Sequence, residues 1–372
     1  MSIFTFGAMR ITFNESKTLR ADWSDKEANA VATIKRALEL GINHIDTARG
    51  YDNSERLVGV AMRELGREKF ILTTKAMADL SYDETSKSIE ESLRQMGIDR
   101  IDILDLHGIN TFDTLKNSLG KNGSLRAAIE AQKKGLVSHI GFSSHAGPDV
   151  IIAGMETGYF SAISILYWWT NQRNSAAIQK ARDMDIGILI LSAAEKGGLL
   201  FKPTDSLLKA CAPFSPLALT HKWLFERGVT TIAIGASNPG EFDAHLPALQ
   251  NNATLTTEES LALESWTNKE IERLGKDRCA ICYKCMPCPE GVNIPEILRL
   301  RNLCQTFDMI EFGIMRYNLL EHADDWFPGN KADKCTRCGK CEPLCPSGLG
   351  IPDLISQTHS LLLSQPKSRL WK

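Results

Sequence analysis

The stretch Ile101-Asp102-Ile103-Leu104-Asp105-Leu106-His107 is short, largely apolar and ends in an ionisable residue. Such a run suits a strand of a parallel sheet buried on both faces, where neither side of the pleat meets water. Similar runs recur at Ile3–Phe6, His44–Ala48, Phe70–Ala76, Ser138–Ser144, Ala162–Trp168, Gly187–Ala193 and Thr230–Ala236. Amphipathic stretches between them predict helices, among them Lys26–Leu40, Asp83–Met96, Gly123–Lys134, Ser175–Met184 and Pro216–Glu226. Eight strand-plus-helix units in about 250 residues predict an α/β fold, a closed (β/α)8 TIM barrel in preference to an open doubly wound sheet. No strand is followed by a Gly-x-Gly-x-x-Gly turn, and there is no phosphate-binding Gly-x-x-x-x-Gly-Lys-Ser/Thr loop.

The rest of the chain differs in composition. Of 372 residues, 43% are hydrophobic and 24% charged, with a formal net charge of −2, which gives no electrostatic reason to expect nucleic acid or an acidic membrane as partner. The N-terminus has no basic region followed by an apolar stretch, and no later apolar run approaches membrane-spanning length. Nine of the ten cysteines follow residue 278. In a chain without a secretion signal they read as metal ligands in a reducing cytoplasm, not as a disulfide framework. A polar break at Gln250–Ala253 and a helix-like Thr257–Leu274 precede them, which divides the chain into a barrel domain, 1–274, and a small, mostly helical domain, 275–372. Ser364–Lys372 reads as a tail.

The second cysteine run, Cys335-x₂-Cys338-x₂-Cys341-x₃-Cys345-Pro346, has the spacing of bacterial-type ferredoxins that bind [4Fe–4S] clusters. The first, Cys279-x₂-Cys282-x₂-Cys285-x₂-Cys288-Pro289, keeps the triplet and the Cys-Pro ending but is one residue shorter. In such runs the triplet wraps one cluster and the fourth cysteine ligates the other. The crossed scheme assigns Cys279, Cys282, Cys285 and Cys345 to one cluster, and Cys335, Cys338, Cys341 and Cys288 to the second. Zinc also accepts four thiolates, but its motifs come as separated pairs. Cys211 and Cys304 lie outside both runs and read as buried apolar thiols.

Active sites of these barrels lie at the C-terminal ends of the strands. The second strand leads into Asp46-Thr47-Ala48-Arg49-Gly50-Tyr51, the third contains Lys75 and the fourth ends in His107. This is a proton-donor set for carbonyl reduction. A tyrosine with pKa near 10 is a poor acid at neutral pH, but a neighbouring ammonium favours its phenolate and a carboxylate holds that ammonium in place. Singly, Asp46 reads as a cap and Lys75 and His107 as satisfied strand ends; together the four read as catalytic.

Asp46-Thr47-Ala48-x-x-Tyr51-x-x-Ser54-Glu55, with Lys75 and His107 downstream, resembles the aldo/keto reductase family along most of residues 1–250. The cysteine module resembles the subgroup with a ferredoxin-like domain. The resemblance implies reversible hydride transfer between NADPH and an aldehyde or ketone, with Tyr51 as general acid, Lys75 and Asp46 as its tuning pair and His107 as carbonyl orienter. It also implies that Ser143 and Ser144 hold the nicotinamide carboxamide, that Ser164 stands where many members place Gln, and that Lys196-Gly197-Gly198-Leu199 covers the pyrophosphate. The family's nicotinamide-stacking aromatic is replaced near Leu191-Ser192. Gly235-Ala236-Ser237-Asn238 opens the helix whose N-terminus would face a phosphate. No Arg or Lys occurs between Gly235 and Leu249, where many members hold the adenosine 2′-phosphate, so NADP(H) and NAD(H) both stay open.

Clusters pass single electrons and hydrides carry two, a mismatch that a flavin normally bridges; no flavin fingerprint is present. Three readings follow: a nicotinamide-dependent carbonyl reductase with structural or partner-fed clusters, a cluster-driven single-electron reductase, or an electron-transfer subunit with a relict barrel. The expected partners are a small carbonyl substrate and a redox protein. Trp168-Trp169 is a candidate aromatic wall for substrate, or core. Met1–Arg10 is too short for the family's basal hairpin plus a strand, so another segment is expected to cover the barrel base.

Overall fold

The computed structural model describes residues 1–15, 17–195 and 198–364. By packing, the chain forms two compact units, neither continuous in sequence. The first comprises Met1–Leu166, Asn174–Ala193 and Arg227–Leu246; the second comprises Tyr167–Arg173, Ala194–Glu226 and Pro247–Lys372.

The first unit holds the barrel that the apolar runs predict. Strands β1 (Phe4–Gly7), β2 (His44–Asp46), β3 (Ile71–Met77), β4 (Ile101–His107), β5 (Val137–Ser144), β6 (Ala162–Ile165), β7 (Gly187–Ile190) and β8 (Thr231–Ile234) pair in chain order, all parallel, and β8 closes on β1. Helices α1 (Trp23–Glu39), α2 (Ser54–Leu65), α3 (Tyr82–Met96), α4 (Phe112–Ser118), α5 (Ser124–Lys133), α6 (Pro148–Glu156) and α7 (Ser175–Asp183) lie between the strands in sequence. Helix α3 shows why they form where they do. Ser81 and Glu84 close a capping box at its start, Ile89 and Met96 bury its apolar face, and Gly97 in the left-handed region ends it.

The sequence places the end of β6 at Trp168, three residues too far. Leu166 gives its carbonyl to Asn174 Nδ2 (2.8 Å), outside the ladder. Trp168 N and O pair instead with Asn171 (3.2 and 3.1 Å) in a local turn.

The lower barrel interior is polar. Thr231 donates its hydroxyl proton to Ile3 O, so it accepts from Thr5 Oγ1 (2.7 Å), and Thr5 in turn accepts from His44 Nδ1 (2.7 Å). His44 Nε2 then accepts from Thr73 Oγ1 (2.8 Å), which fixes the tautomer of this neutral imidazole. Burial, reinforced by Lys75, holds the His44 pKa down to about 3. The base, where a covering segment was expected, is lined among the described residues by Met1 and the strand region. It carries an open cavity of about 260 Å³, lined by Met1 and by strand-region residues including His44, Thr73, Asp105, Ser164 and Thr231.

The second unit is helical: α8 (Asp205–Cys211), α9 (Pro216–Glu226), α10 (Thr257–Leu274), α11 (Ile294–Phe307), α12 (Ile310–Tyr317) and α13 (Ile351–Leu362). Helix α10 packs on α8, α9 and α11, and α11 packs on α12 and α13. A buried ion pair joins Lys222 to both carboxylate oxygens of Glu259 (2.7 and 2.9 Å). No described helix is long and apolar enough to cross a membrane. Residues 365–372, most of the expected tail, lie outside the described residues.

The second unit also contains a repeat longer than the cysteine spacing suggests. Cys288-Pro289-Glu290-Gly291-Val292-Asn293-Ile294-Pro295 matches Cys345-Pro346-Ser347-Gly348-Leu349-Gly350-Ile351-Pro352. In both copies the glycine has positive φ (66° and 61°), and its N–H returns to the cysteine carbonyl (2.9 and 3.1 Å). Both copies lead into a helix, α11 or α13, with proline in its first turn.

Candidate active site

Tyr51 sits on the loop between β2 and α2, and backbone bonds fix that loop to the barrel. Thr47 N and Arg49 N donate to Thr73 O (2.9 Å) and Lys75 O (3.0 Å) on β3, and Ser54 N donates to Tyr51 O (2.8 Å). Side chains brace it further. Ser54 Oγ donates to Ala8 O (3.1 Å), while buried Glu55 accepts from Thr74 Oγ1 (2.7 Å) and pairs with Arg49.

The four residues predicted as catalytic come together. Lys75 Nζ donates to Asp46 Oδ1 (2.5 Å) and Thr47 O (2.8 Å) and stands 5.0 Å from the Tyr51 ring centre. The His107 ring meets Tyr51 edge-on, centroids 5.8 Å apart. Burial opposes the Lys75 charge, yet Asp46, Tyr51 and Asp105 outweigh it and hold the ammonium pKa above its ordinary value. Burial, with Lys75 adding to it, lowers His107 to about 3, so the imidazole is neutral at neutral pH. For Tyr51 the balance is the reverse of the sequence expectation. Burial raises its pKa and the opposing pull of Lys75 does not overcome it. The resting group is a phenol carrying its proton, and the lysine acts on the negative charge that develops when that proton leaves.

The candidate nicotinamide residues are placed unevenly. Ser143 is the register partner of both His107 on β4 and Ser164 on β6. Ser143 Oγ accepts from Gly108 N (3.1 Å), leaving its proton available to an acceptor. Ser144 Oγ is used locally, donating to Ile109 O (2.6 Å) and accepting from Ala146 N (3.1 Å). Ser164 donates to Asp105 Oδ2 (2.7 Å) but keeps acceptor capacity. Lys196 and Gly197 lie outside the described residues.

The loop after β8 does not offer a free anion site. Glu241 takes the donors there: its Oε1 accepts from Ser237 Oγ (2.6 Å) and Asn238 Nδ2 (3.3 Å), and its Oε2 accepts from Ser237 N (3.1 Å) with Arg10 Nη1 2.6 Å away. Arg10 also donates to Gly235 O (3.1 Å). The carboxylate occupies the donors a phosphate would use, and its charge opposes one. The nicotinamide end of the cofactor therefore fits these side chains, whereas a 2′-phosphate at the Gly235–Asn238 loop does not.

Trp169 and Tyr167 both pack on Trp223, at 5.4 and 5.2 Å between ring centroids, and Trp168 is buried, so this aromatic cluster is core of the second unit.

In the second unit, the cysteines line two cavities. Cys279, Cys282, Cys285 and Cys345 line the smaller, of about 20 Å³. Cys288, Cys335, Cys338 and Cys341 line the larger, of about 200 Å³, with Cys285 at its edge. In each run the residue two after the first cysteine has positive φ, Ile281 (53°) and Arg337 (58°), and donates its N–H to that cysteine's Sγ (3.4 Å in both). Among the described residues no three His, Cys, Asp or Glu converge on a point that would hold one metal ion. A [4Fe–4S] cluster makes a different demand, because each thiolate binds its own iron and the sulfurs stand apart. Burial pushes the Cys279 and Cys285 thiols up to about 11 and about 12, so ligation there must release protons. Cys211 and Cys304 are buried, as read, and none of the ten cysteines is in a disulfide.

Two features of the site escaped the sequence reading. Asp105 is buried within the barrel in register with Lys75, its Oδ1 without a partner. Its signal was a carboxylate of the same strand parity as His107, on a strand face where Ile101 and Ile103 are apolar. The Arg10–Glu241 pair spans 231 positions, and no local pattern announces it.

A model of the aldo/keto reductase family matches residues 5–209. Methylglyoxal reductase DkgB of Salmonella typhi is 36% identical over 244 residues, covering 61% of this chain and 87% of that protein. L-galactose dehydrogenase of Arabidopsis thaliana is 24% identical over 283 residues, covering 67% of this chain and 84% of that protein. Among solved structures, an aldo-keto reductase from Bacillus halodurans in its holo form aligns with TM-score 0.57 and 23% identity, over 70% of this chain and 91% of that one. An aldo-keto reductase from Bombyx mori in complex with NADP aligns with TM-score 0.54 and 21% identity, over 72% and 89%. These two likenesses speak for the fold.

Proposed function

This chain belongs to the aldo/keto reductase family and is an oxidoreductase, and from that premise we propose that it reduces a small aldehyde or ketone with Tyr51 as proton donor. A reduced nicotinamide, when bound, supplies the hydride. The observation that carries the reading is the buried Lys75 ammonium, held by Asp46 against the Tyr51 ring with neutral His107 at its edge. His107 orients the carbonyl oxygen. Tyr51 gives that oxygen its proton, and Lys75 stabilises the phenolate left behind. Such a positioned acid contributes about 10²–10⁴-fold.

With a nicotinamide bound, Ser143 would donate to the carboxamide and Ser164 would accept from it, while Ser144 pins the neighbouring loop; the family resemblance assigns Lys196 and Gly197 to the pyrophosphate. Glu241, holding Ser237 and Asn238 beside Gly235, favours NAD(H) over NADP(H). The name of the Salmonella relative makes methylglyoxal the first carbonyl to test.

Residues 1–274 serve as the reductase domain and 275–372 as a ferredoxin-like domain holding two [4Fe–4S] clusters, with the crossed ligand sets that line the two cavities. Each cluster, when bound, passes one electron at a time. Exposed Cys282 and Cys338 bring each site to the surface, where a redox protein could exchange electrons. Ten unpaired cysteines suit a reducing compartment such as the cytoplasm. The assembled tetrad favours an enzyme over an electron-transfer subunit with a relict barrel.

The test is turnover of methylglyoxal and a carbonyl panel by anaerobically purified protein, with NADH and NADPH in parallel. Tyr51→Phe should lower kcat by at least about 10²-fold with nucleotide binding intact by fluorescence. Glu241→Arg should shift the kcat/KM ratio toward NADPH. Carbonyl reduction by Tyr51→Phe at the wild-type rate would overturn the assignment.

A further inference from the structure

The base cavity and the unpartnered oxygen above it are not explained by the carbonyl chemistry at the other end of the barrel. Asp105 Oδ2 accepts from Ser164, but Oδ1 is buried with no hydrogen bond. A buried carboxylate oxygen left unpaired is costly and calls for a reason. Space for it is reserved by Gly141, where a Cβ would stand 2.3 Å from Oδ1 and 2.8 Å from Ala162 O. Asp105 is also the residue that joins the two ends of the barrel. Below, it lines the open cavity with His44, Thr73, Ser164 and Thr231, polar groups enough to hold water. Above, it is the register partner of Lys75.

We propose that Asp105 and the cavity beneath it form a proton inlet to Lys75, entering the barrel from the end opposite the substrate. The proposal rests on the carbonyl-reductase reading, since it concerns how Tyr51 regains the proton it gives away. The Tyr51 O–H bond breaks and its proton goes to the carbonyl oxygen. Lys75 then gives an ammonium proton to the phenolate, the Asp105 carboxyl gives its proton to the Lys75 amine, and water in the cavity restores the Asp105 carboxyl. No electrons move in these steps, and the net change is uptake of one solvent proton.

The groups facing Asp105 are Lys75 from β3, Asp46 from β2, Tyr51 from the loop after β2 and Ser164 from β6. At the cavity it shares walls with His44 from β2, His139 from β5 and Met1. Burial raises the Asp105 carboxyl to about 6, with Lys75 and Ser164 opposing and Asp46 assisting. It can thus carry a proton near neutrality, and the protonated fraction falls about tenfold per pH unit above that value.

The experiment is the pH profile of kcat for carbonyl reduction, with KM measured alongside. Wild type should lose kcat as pH rises through about 6 and beyond. Asp105→Asn should lack that limb, with KM for the carbonyl unchanged. A second variant avoids touching the carboxyl: Gly187 lines the cavity, and a Cβ there meets Ser161 O at 3.6 Å and Ala162 Cβ at 3.9 Å, ordinary contacts. Gly187→Leu should fill the cavity and lower kcat several-fold at pH 7 without changing KM. A wild-type profile in Asp105→Asn, or a wild-type kcat and profile in Gly187→Leu, overturns the inlet. If Tyr51→Phe is inactive while Asp105→Asn behaves as wild type, only the inlet falls. If Tyr51→Phe is fully active, the carbonyl reading falls and takes the inlet with it.

Discussion

Lys75 has three ammonium protons, two committed to Asp46 and Thr47 and one left for Tyr51. Removing a single anionic neighbour alters what the others feel, and Asp105, buried in register with Lys75, has such an effect on stability. Its folded pKa of about 6 lies above the ordinary 3.8. The native state therefore binds this proton more tightly than the unfolded chain does. Its contribution is fully favourable below the unfolded pKa and is lost as pH rises through the folded one. A shift of about two units corresponds to roughly 3 kcal/mol. Asp105→Asn should be more stable than wild type above pH 6 by up to that amount, with the difference shrinking toward pH 4; urea unfolding across this range checks it. Tyr51, Asp46 and His107 were legible because each lies at or just beyond a strand end, and Lys75, two residues inside β3, because an ammonium complements the tyrosine. Asp105 was not, because a residue inside a strand reads as packing until the parity of its side chain is known.

Runs of apolar residues located all eight strands but not all their ends. Leu166, Tyr167 and Trp168 are as buried as a strand would make them, yet they belong to a turn fixed by Asn174 and Asn171. Apolarity reports burial, and the ladder alone reports strand. Contacts between helices were equally invisible. Gly59 on α2 lies so close to α3 that a Cβ would stand 2.6 Å from Met96 O, a backbone atom that cannot swing aside. Gly59→Ala should destabilise the barrel by about 1–3 kcal/mol, read as a lower urea midpoint with unchanged slope. The repeat across Cys288–Pro295 and Cys345–Pro352 was masked by the differing spacing of the two cysteine runs. The conformation shows it, because both glycines take the same positive φ and both turns deliver a proline-opened helix.

At the scale of the molecule, each unit has its own packed core, and the second also holds two cavities lined by its cysteines. Iron should therefore contribute to folding there. Cys338→Ala should reduce iron from about eight to about four per chain if one cluster is lost. Stripping iron from the wild type by chelation should expose residues 275–364 to protease while far-UV circular dichroism keeps the barrel signal. Unchanged proteolysis would argue that the cavities are stable without metal. The crossing of the two runs has a further consequence for how this module can change over time. Cys345 completes the cavity of the first copy and Cys288 that of the second. Neither copy is a self-sufficient building block, so a truncation, a splice or a recombination point between residues 289 and 334 that separates the two copies leaves both sites a wall short. The pair is inherited whole or lost whole.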